Sequence, residues 1–255
     1  MIQYEESYLM RRPAVIPLSL FNDNPFADFG ITHSLRLKTV FTFPGPLYAI
    51  TPDLADTSRL LTLTGAALAA GATMLQYRDK ISPMAEKLRR ARALAALCQQ
   101  YGAKFIVNDD VVLAVASGAD GVHLGTTDGS IRDARRLLPP DTIIGASCYN
   151  DLALARQALA DGASYVAFGA CFDSPTKPAA RRVTPDQLAG FRAALGPEVA
   201  ICGIGGITRD NYEQLDGCVN AIALISELFG TPEHPTDPET VRSRVGQFLT
   251  EPATA

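Results

Sequence analysis

The sequence predicts an α/β protein built as a single-domain (β/α)8 barrel, the TIM-barrel architecture. Three observations predict it. Short apolar runs alternate with helix-period segments, which implies parallel strands joined by helical crossovers. Eight such units follow one another over about 200 residues, the size of a small barrel of this kind. A weak internal repeat, "AAGATMLQYR", "ASGADGVHLG" and "ADGASYVAFG", sets Gly-Ala before a strand. Glycine there ends a helix in the left-handed cap and releases the chain into the next strand. A doubly wound sheet is the runner-up, but it rarely needs eight evenly spaced units. No Gly-x-Gly-x-x-Gly follows the first strand, which weakens a dinucleotide-binding reading.

Residues 1–45 stand apart from this series. They mix prolines and aromatics without a sustained period. Pro13 and Pro17 break the apolar run after Arg11 and Arg12, so no signal peptide is read there. A loosely ordered N-terminal extension is expected, a docked arm being the alternative, with the barrel over 46–250 and a frayed "TEPATA" tail.

The units then run in order. "LYAI" at 47–50 is the first strand, followed by "TPD" and a helix over 56–71. "MLQYR" at 74–78 leads into Gln76, Arg78 and Lys80, then a helix over 83–101. "KFIVN" at 104–108 ends at Asn108, Asp109 and Asp110, with a helix over 110–117. "GVHL" at 121–124 precedes "GTTD", which ends in Asp128, and a helix over 131–138. "IIGAS" at 143–147 ends at Ser147 before a helix over 151–161. "YVAFG" at 165–169 leads into "CFDSPTKP" with Ser174, Thr176 and Lys177, then a helix over 185–195. "VAICG" at 199–203 runs into "GIGGI" and a helix over 209–215. "AIALI" at 221–225 ends at Ile225 and Ser226, and a helix over 238–249 closes the series.

Composition narrows the function. Hydrophobic residues are 47% and charged residues 20%, ordinary for a globular enzyme and wrong for a disordered chain. The formal net charge of −4 gives no footprint for nucleic acid or an anionic membrane. An anionic substrate therefore needs a local cluster of cations. No apolar run is long enough for a membrane-spanning helix. Five cysteines without a CxxC pair argue against a disulfide scaffold and a zinc site, and fit reduced thiols of a cytoplasmic protein. A homo-oligomer is compatible with the sequence.

Barrel enzymes carry their active sites on the loops after the strands, and polar residues collect there. Gln76, Arg78 and Lys80 alternate, so an extended backbone turns them to one face. An amide and two cations together suit a diphosphate, and Lys177 would add a third cation. Solvated charges at an exposed strand end would give the same pattern. Asp109 and Asp128 follow adjacent strands and could share one hard cation such as Mg2+. Either could instead cap the helix that follows it. "GIGGI" and Ser226 match the phosphate site usual after the last two barrel strands, although a tight turn alone would also need glycine. A metal-linked diphosphate site and a monophosphate site at one mouth suggest an enzyme that joins two phosphorylated substrates. His123 is expected to pack inside the barrel rather than act as a base, Cys148 and Cys171 to pack or line, and Tyr77 to point toward the helices.

These motifs resemble the thiamine phosphate synthase family. "LQYRDK", "FIVNDDVVLAVASGADGVHLGTTD", "IIGAS", "SPTKP", "GIGGI" and "ALIS" share its order and spacing over about residues 46–230. The resemblance implies a transferase of thiamine biosynthesis. It would join 4-amino-2-methyl-5-(diphosphooxymethyl)pyrimidine to 4-methyl-5-(2-hydroxyethyl)thiazole phosphate, or its carboxylated form, giving thiamine monophosphate and diphosphate. By the resemblance, Gln76, Arg78, Lys80, Asn108, Ser147 and Lys177 hold the pyrimidine diphosphate, and Arg78, Lys80, Ser147 and Lys177 serve catalysis. Asp109 and Asp128 match Mg2+ ligands. Ser174, Thr176, Gly206, Ile225 and Ser226 match the thiazole phosphate pocket. Thr126-Thr127 before Asp128, Ser174 in place of threonine, and Cys148-Tyr149 after Ser147 depart from the family pattern. Lack of a histidine beside Ser147 speaks against the sister thiazole tautomerases. A non-catalytic ligand sensor on the same barrel is the other alternative.

Overall fold

A computed structural model describes residues 40–173 and 182–249 of the 255-residue chain. Ser174, Thr176 and Lys177, residues 1–39 of the expected extension, and the "TEPATA" tail lie outside the described residues. The chain divides into two units, Met1–Thr39 and Val40–Ala255.

The second unit is a closed barrel of eight strands. In order these are β1 Leu47–Ile50, β2 Met74–Tyr77, β3 Lys104–Asn108, β4 Gly121–Leu124, β5 Ile143–Tyr149, β6 Tyr165–Phe168, β7 Ile201–Ile204 and β8 Ala221–Leu224. All neighbours pair in parallel, and β1 closes on β8 through Tyr48 opposite Ala223. The connecting helices are α1 Thr57–Ala69, α2 Met84–Gln100, α3 Val111–Ser117, α4 Ile131–Leu137, α5 Leu152–Ala160 and α6 Pro185–Leu195. A single turn, α7 Ser226–Phe229, precedes α8 Pro238–Leu249.

Strand alternation sorts the core into two layers. Leu47 and Ala49 join the layer between strands and helices, whereas Tyr48 and Ile50 face the barrel interior with Met74, Ile106 and Tyr165. Because both faces are covered, the strands read as unbroken apolar runs, which is why they are visible in the sequence. The same alternation sends Tyr77 to the helix layer, as expected. Phe41 and Phe43 pack against the interior layer, with the Phe43 ring 5.0 Å from that of Tyr165. All five cysteines are buried and free. Burial pushes the thiols of Cys98, Cys148 and Cys171 up to about 12, which suits packing and not nucleophilic attack.

The structure shifts several element boundaries, two of them for a clear local reason. The helix expected over 209–215 is a 3-10 turn, Tyr212–Leu215. The Asn211 side chain takes the Thr208 N–H and donates to the Gly206 carbonyl, so local side-chain bonding displaces helical bonding there. The seventh strand begins at Ile201, later than expected: Arg192 takes the Val199 carbonyl and Asn220 takes the Ile201 N–H. Among the described residues, no helix is long and apolar enough to cross a membrane.

Candidate active site

Beyond β2, β3 and β4, Lys80 meets Asp109, which lies against Asp128, and Arg78 joins them through Asp53; Lys177 lies outside the described residues. Gln76 points into the barrel, and its Nε2 donates to Tyr48 OH at 2.9 Å. Arg78, two residues on, donates to Asp53 Oδ2 at 2.5 Å. Lys80 forms an ion pair with Asp109 through its Nζ, while its backbone N–H donates to Asp53 Oδ1 at 2.7 Å. Asp53, in the loop after β1, therefore orients both cations. It was not among the expected site residues, because "TPD" reads as a plain turn.

Both carboxylates are free of the capping role that the sequence allowed. Asp110, not Asp109, caps α3 by accepting the Leu113 N–H. Ser130, not Asp128, caps α4. Asp109 sits in the left-handed region at φ 65° with its N–H bonded to the His123 carbonyl. That backbone turn separates it from the helix start and aims it at its neighbours. Burial raises the Asp109 carboxyl, and the adjacent Asp128 carboxylate adds to this while Lys80 opposes it. Asp128 itself accepts the Gly125 N–H at 2.9 Å.

Two close carboxylates that repel each other are a fit for a hard divalent cation. Among the described residues no group of three or more His, Cys, Asp or Glu side chains could form a fuller metal cage. That donor set suits Mg2+, which keeps water and phosphate oxygens as its remaining ligands. A cavity of about 160 Å³ adjoins Asp109 and is lined by Lys80, Asn108 and Lys87 among others. Lys87, on α2, is a further cation that sequence reasoning passed over as part of a helix.

A buried ion pair fixes the loops beneath the cations. Asp79, between Arg78 and Lys80, meets Arg90 of α2 at 3.0 Å, and both side chains are 3% exposed. Arg90 also donates to the carbonyls of Leu54 and Ala55, in the loop that carries Asp53. Thr57 and Glu86 take its Nε. A cation on the buried stripe of Ala91, Leu94 and Cys98 was the available signal for this role.

Ser147, near the end of β5, is half-buried and bonded to His123 Nε2 at 2.8 Å. His123 is buried as expected, and its ring is also polar-bonded to Tyr165 at 2.9 Å through Nδ1. Burial lowers its pKa to about 4, with the Asp128 charge opposing, so the ring is neutral at neutral pH.

The turn after β7 packs against Phe172 and Asp173, just beyond β6. Gly205 and Gly206 have φ of 96° and 65°. A Cβ on Gly206 would lie 2.6 Å from the Phe172 carbonyl group, so the β7 loop nests against the loop after β6. Arg209 N–H donates to Glu227 Oε1 at 3.3 Å, which ties this loop to α7. Gly206→Ala is expected to lower stability by about 1–3 kcal/mol through the strained φ and this overlap. Urea unfolding checks it; an unchanged midpoint would contradict the close approach.

The thiamine monophosphate synthase family model matches residues 47–228, which contain every barrel strand. The chain belongs to this family. It is 49% identical to a thiamine-phosphate synthase of Thiobacillus denitrificans, over 75% of this chain and 90% of that one. It is 54% identical to the thiamine-phosphate synthase of Chromobacterium violaceum, over 72% of this chain and 87% of that one. Among solved structures, it is similar to a thiamine phosphate pyrophosphorylase from Pyrococcus furiosus. That likeness has a TM-score of 0.66 and 33% identity, and covers 80% of this chain and 97% of that one. Family membership agrees with the expected closed barrel and with an enzyme of the transferase class in thiamine biosynthesis.

Proposed function

We propose that the chain joins the pyrimidine diphosphate to the thiazole phosphate, releasing diphosphate and forming thiamine monophosphate. The carrying observation is that Lys80 meets Asp109 beside Asp128, with Arg78 tied to Lys80 through Asp53 and both helix caps supplied by other residues. Arg78 and Lys80, oriented by Asp53, bind the diphosphate oxygens, joined by Lys177, Asn108, Gln76 and Ser147. Asp109 and Asp128 hold Mg2+. When bound, that ion supplies positive charge against the departing diphosphate.

The reaction is a dissociative substitution. The bond between the pyrimidine methylene carbon and the diphosphate oxygen breaks, and its electron pair leaves with the diphosphate. The electron-rich aminopyrimidine stabilises the methylene cation. The lone pair of the thiazole nitrogen then forms the new C–N bond. Ser174, Thr176, Gly206, Ile225 and Ser226 hold the thiazole phosphate so that its nitrogen faces that carbon. Charge stabilisation and positioning supply the acceleration, and no protein nucleophile is needed.

Incubating the full chain with both substrates and Mg2+ tests this reading. Thiamine monophosphate and diphosphate are expected in equal amounts. A folded protein that forms neither would reject it.

A further inference from the structure

A chain of hydrogen bonds crosses the barrel interior from Gln76 to Ser147. Gln76 Nε2 donates to Tyr48 OH at 2.9 Å. Tyr48 OH and Tyr165 OH are 3.0 Å apart. Tyr165 OH lies 2.9 Å from His123 Nδ1, and His123 Nε2 lies 2.8 Å from Ser147 Oγ. The five members come from β2, β1, β6, β4 and β5.

With Gln76 Nε2 facing Tyr48, the direction of the chain follows from counting hydrogens. Tyr48 and Tyr165 are 1% and 0% exposed, so water does not complete their bonding. Each phenol has a single hydrogen. The Gln76 amide already donates to Tyr48, so the Tyr48 hydrogen goes to the acceptor within reach, Tyr165. Tyr165 has then accepted from Tyr48 and passes its own hydrogen to His123 Nδ1. An acceptor at Nδ1 places the ring hydrogen on Nε2, facing Ser147. Reversing an interior link would leave a buried phenolic hydrogen without an acceptor, which is costly.

Gly145 on β5 is the sequence feature that permits this contact. A Cβ there would overlap the Tyr165 hydroxyl and lie 2.5 Å from His123 Nδ1. The small residue thus leaves the space in which the phenol and imidazole meet.

We infer that the Gln76–Tyr48–Tyr165 chain holds His123 as its Nε2–H tautomer and so makes Ser147 a hydrogen-bond donor to the pyrimidine diphosphate. Ser147 Oγ accepts from His123 inside the barrel, and its own hydrogen is left for an acceptor atom at the mouth. Tyr48 and Tyr165 are positioning residues. They touch no reacting atom but decide whether Ser147 donates or accepts. The inference rests on the proposed role of Ser147 at the diphosphate substrate.

The test reads the tautomer without substrate, by nitrogen NMR of the full chain labelled in histidine. A His123→Gln variant assigns the ring signals. His123 is expected with its hydrogen on Nε2. In Tyr165→Phe the Nδ1 partner is gone, and the ring is expected to populate both tautomers. Kinetics give the second readout. Ser147→Ala is expected to lower kcat about tenfold, the scale of one hydrogen bond to a charged group. Tyr165→Phe should lower kcat in the parent chain and change nothing further in the Ser147→Ala background. A wild-type ring carrying its hydrogen on Nδ1 would overturn the inference, because the chain would then run the other way and Ser147 would donate inward. Equal fractional losses in both backgrounds would also overturn it. If Tyr165→Phe does not fold, the wild-type spectrum alone decides. A failed tautomer result remains distinct from a failed synthase reading, which the two-substrate incubation reads.

Discussion

Asp109→Asn is expected to leave the barrel folded and to lower kcat by about 10²–10³-fold, the scale for losing one electrostatic stabiliser at a developing charge. The fold should survive for local reasons. Asparagine tolerates the left-handed backbone at this position as well as aspartate does. The backbone bond to the His123 carbonyl is kept, and the α3 cap belongs to Asp110. What is lost is charge. Lys80 loses the carboxylate that positions it, and the proposed Mg2+ site loses one of its two acidic donors. Circular dichroism and the thermal midpoint check the fold, and turnover with both substrates checks the site. Wild-type turnover in limiting Mg2+ would sink the metal assignment.

Arg90→Met is expected to cost about 3–5 kcal/mol of stability, the usual effect of removing one partner of a buried ion pair. Methionine fills similar volume, so the loss is electrostatic rather than a cavity. Asp79 would stay buried without its cation, and the Leu54 and Ala55 carbonyls would lose their donor. Those groups belong to the loops that carry Arg78, Lys80 and Asp53, so diphosphate affinity should fall as well. Adding Asp79→Asn to Arg90→Met should recover part of the stability, since the uncompensated charge is removed. Urea midpoints of the two variants check this, and a midpoint for Arg90→Met near wild type would refute the clamp. The same carboxyl gives an acid dependence. Burial pushes Asp79 up, but the Ser82 N–H, the Tyr77 hydroxyl and the Ile81 N–H outweigh it and hold the group at about 2, down from 3.8. A lowered pKa means that its contribution is present above the ordinary carboxylate range. It is lost as pH falls from near 4 toward 2.

The strands were legible because burial on both faces turns each into a short apolar run bounded by glycine or polar residues. β1, β3 and β4 fall where the sequence put them. The strand ends were legible in part. Adjacency of β3 and β4 placed Asp109 near Asp128, whereas β2 ends at Tyr77, and Gln76, Arg78 and Lys80 reach different partners in Tyr48, Asp53 and Asp109. Contacts between distant segments left no local trace. The Asp53–Arg78 pair spans the β1 and β2 loops, and the His123–Ser147 bond spans β4 and β5. His123 was expected as a packed residue and is buried, but its polar partners could not be read from a single strand. Arg90 did leave a mark, as a charge on an apolar helical stripe. The four-residue α7 is too short to show a helical period.

Asp109, Asp128, Arg78 and Lys80 are proposed to form one metal-dependent diphosphate site. Calorimetric titration of inorganic diphosphate into the full chain, with and without saturating Mg2+, tests it most directly. One diphosphate bound per chain is expected only when Mg2+ is present, with binding abolished in Asp109→Asn. Diphosphate binding of equal strength without Mg2+, or unchanged in Asp109→Asn, would contradict it.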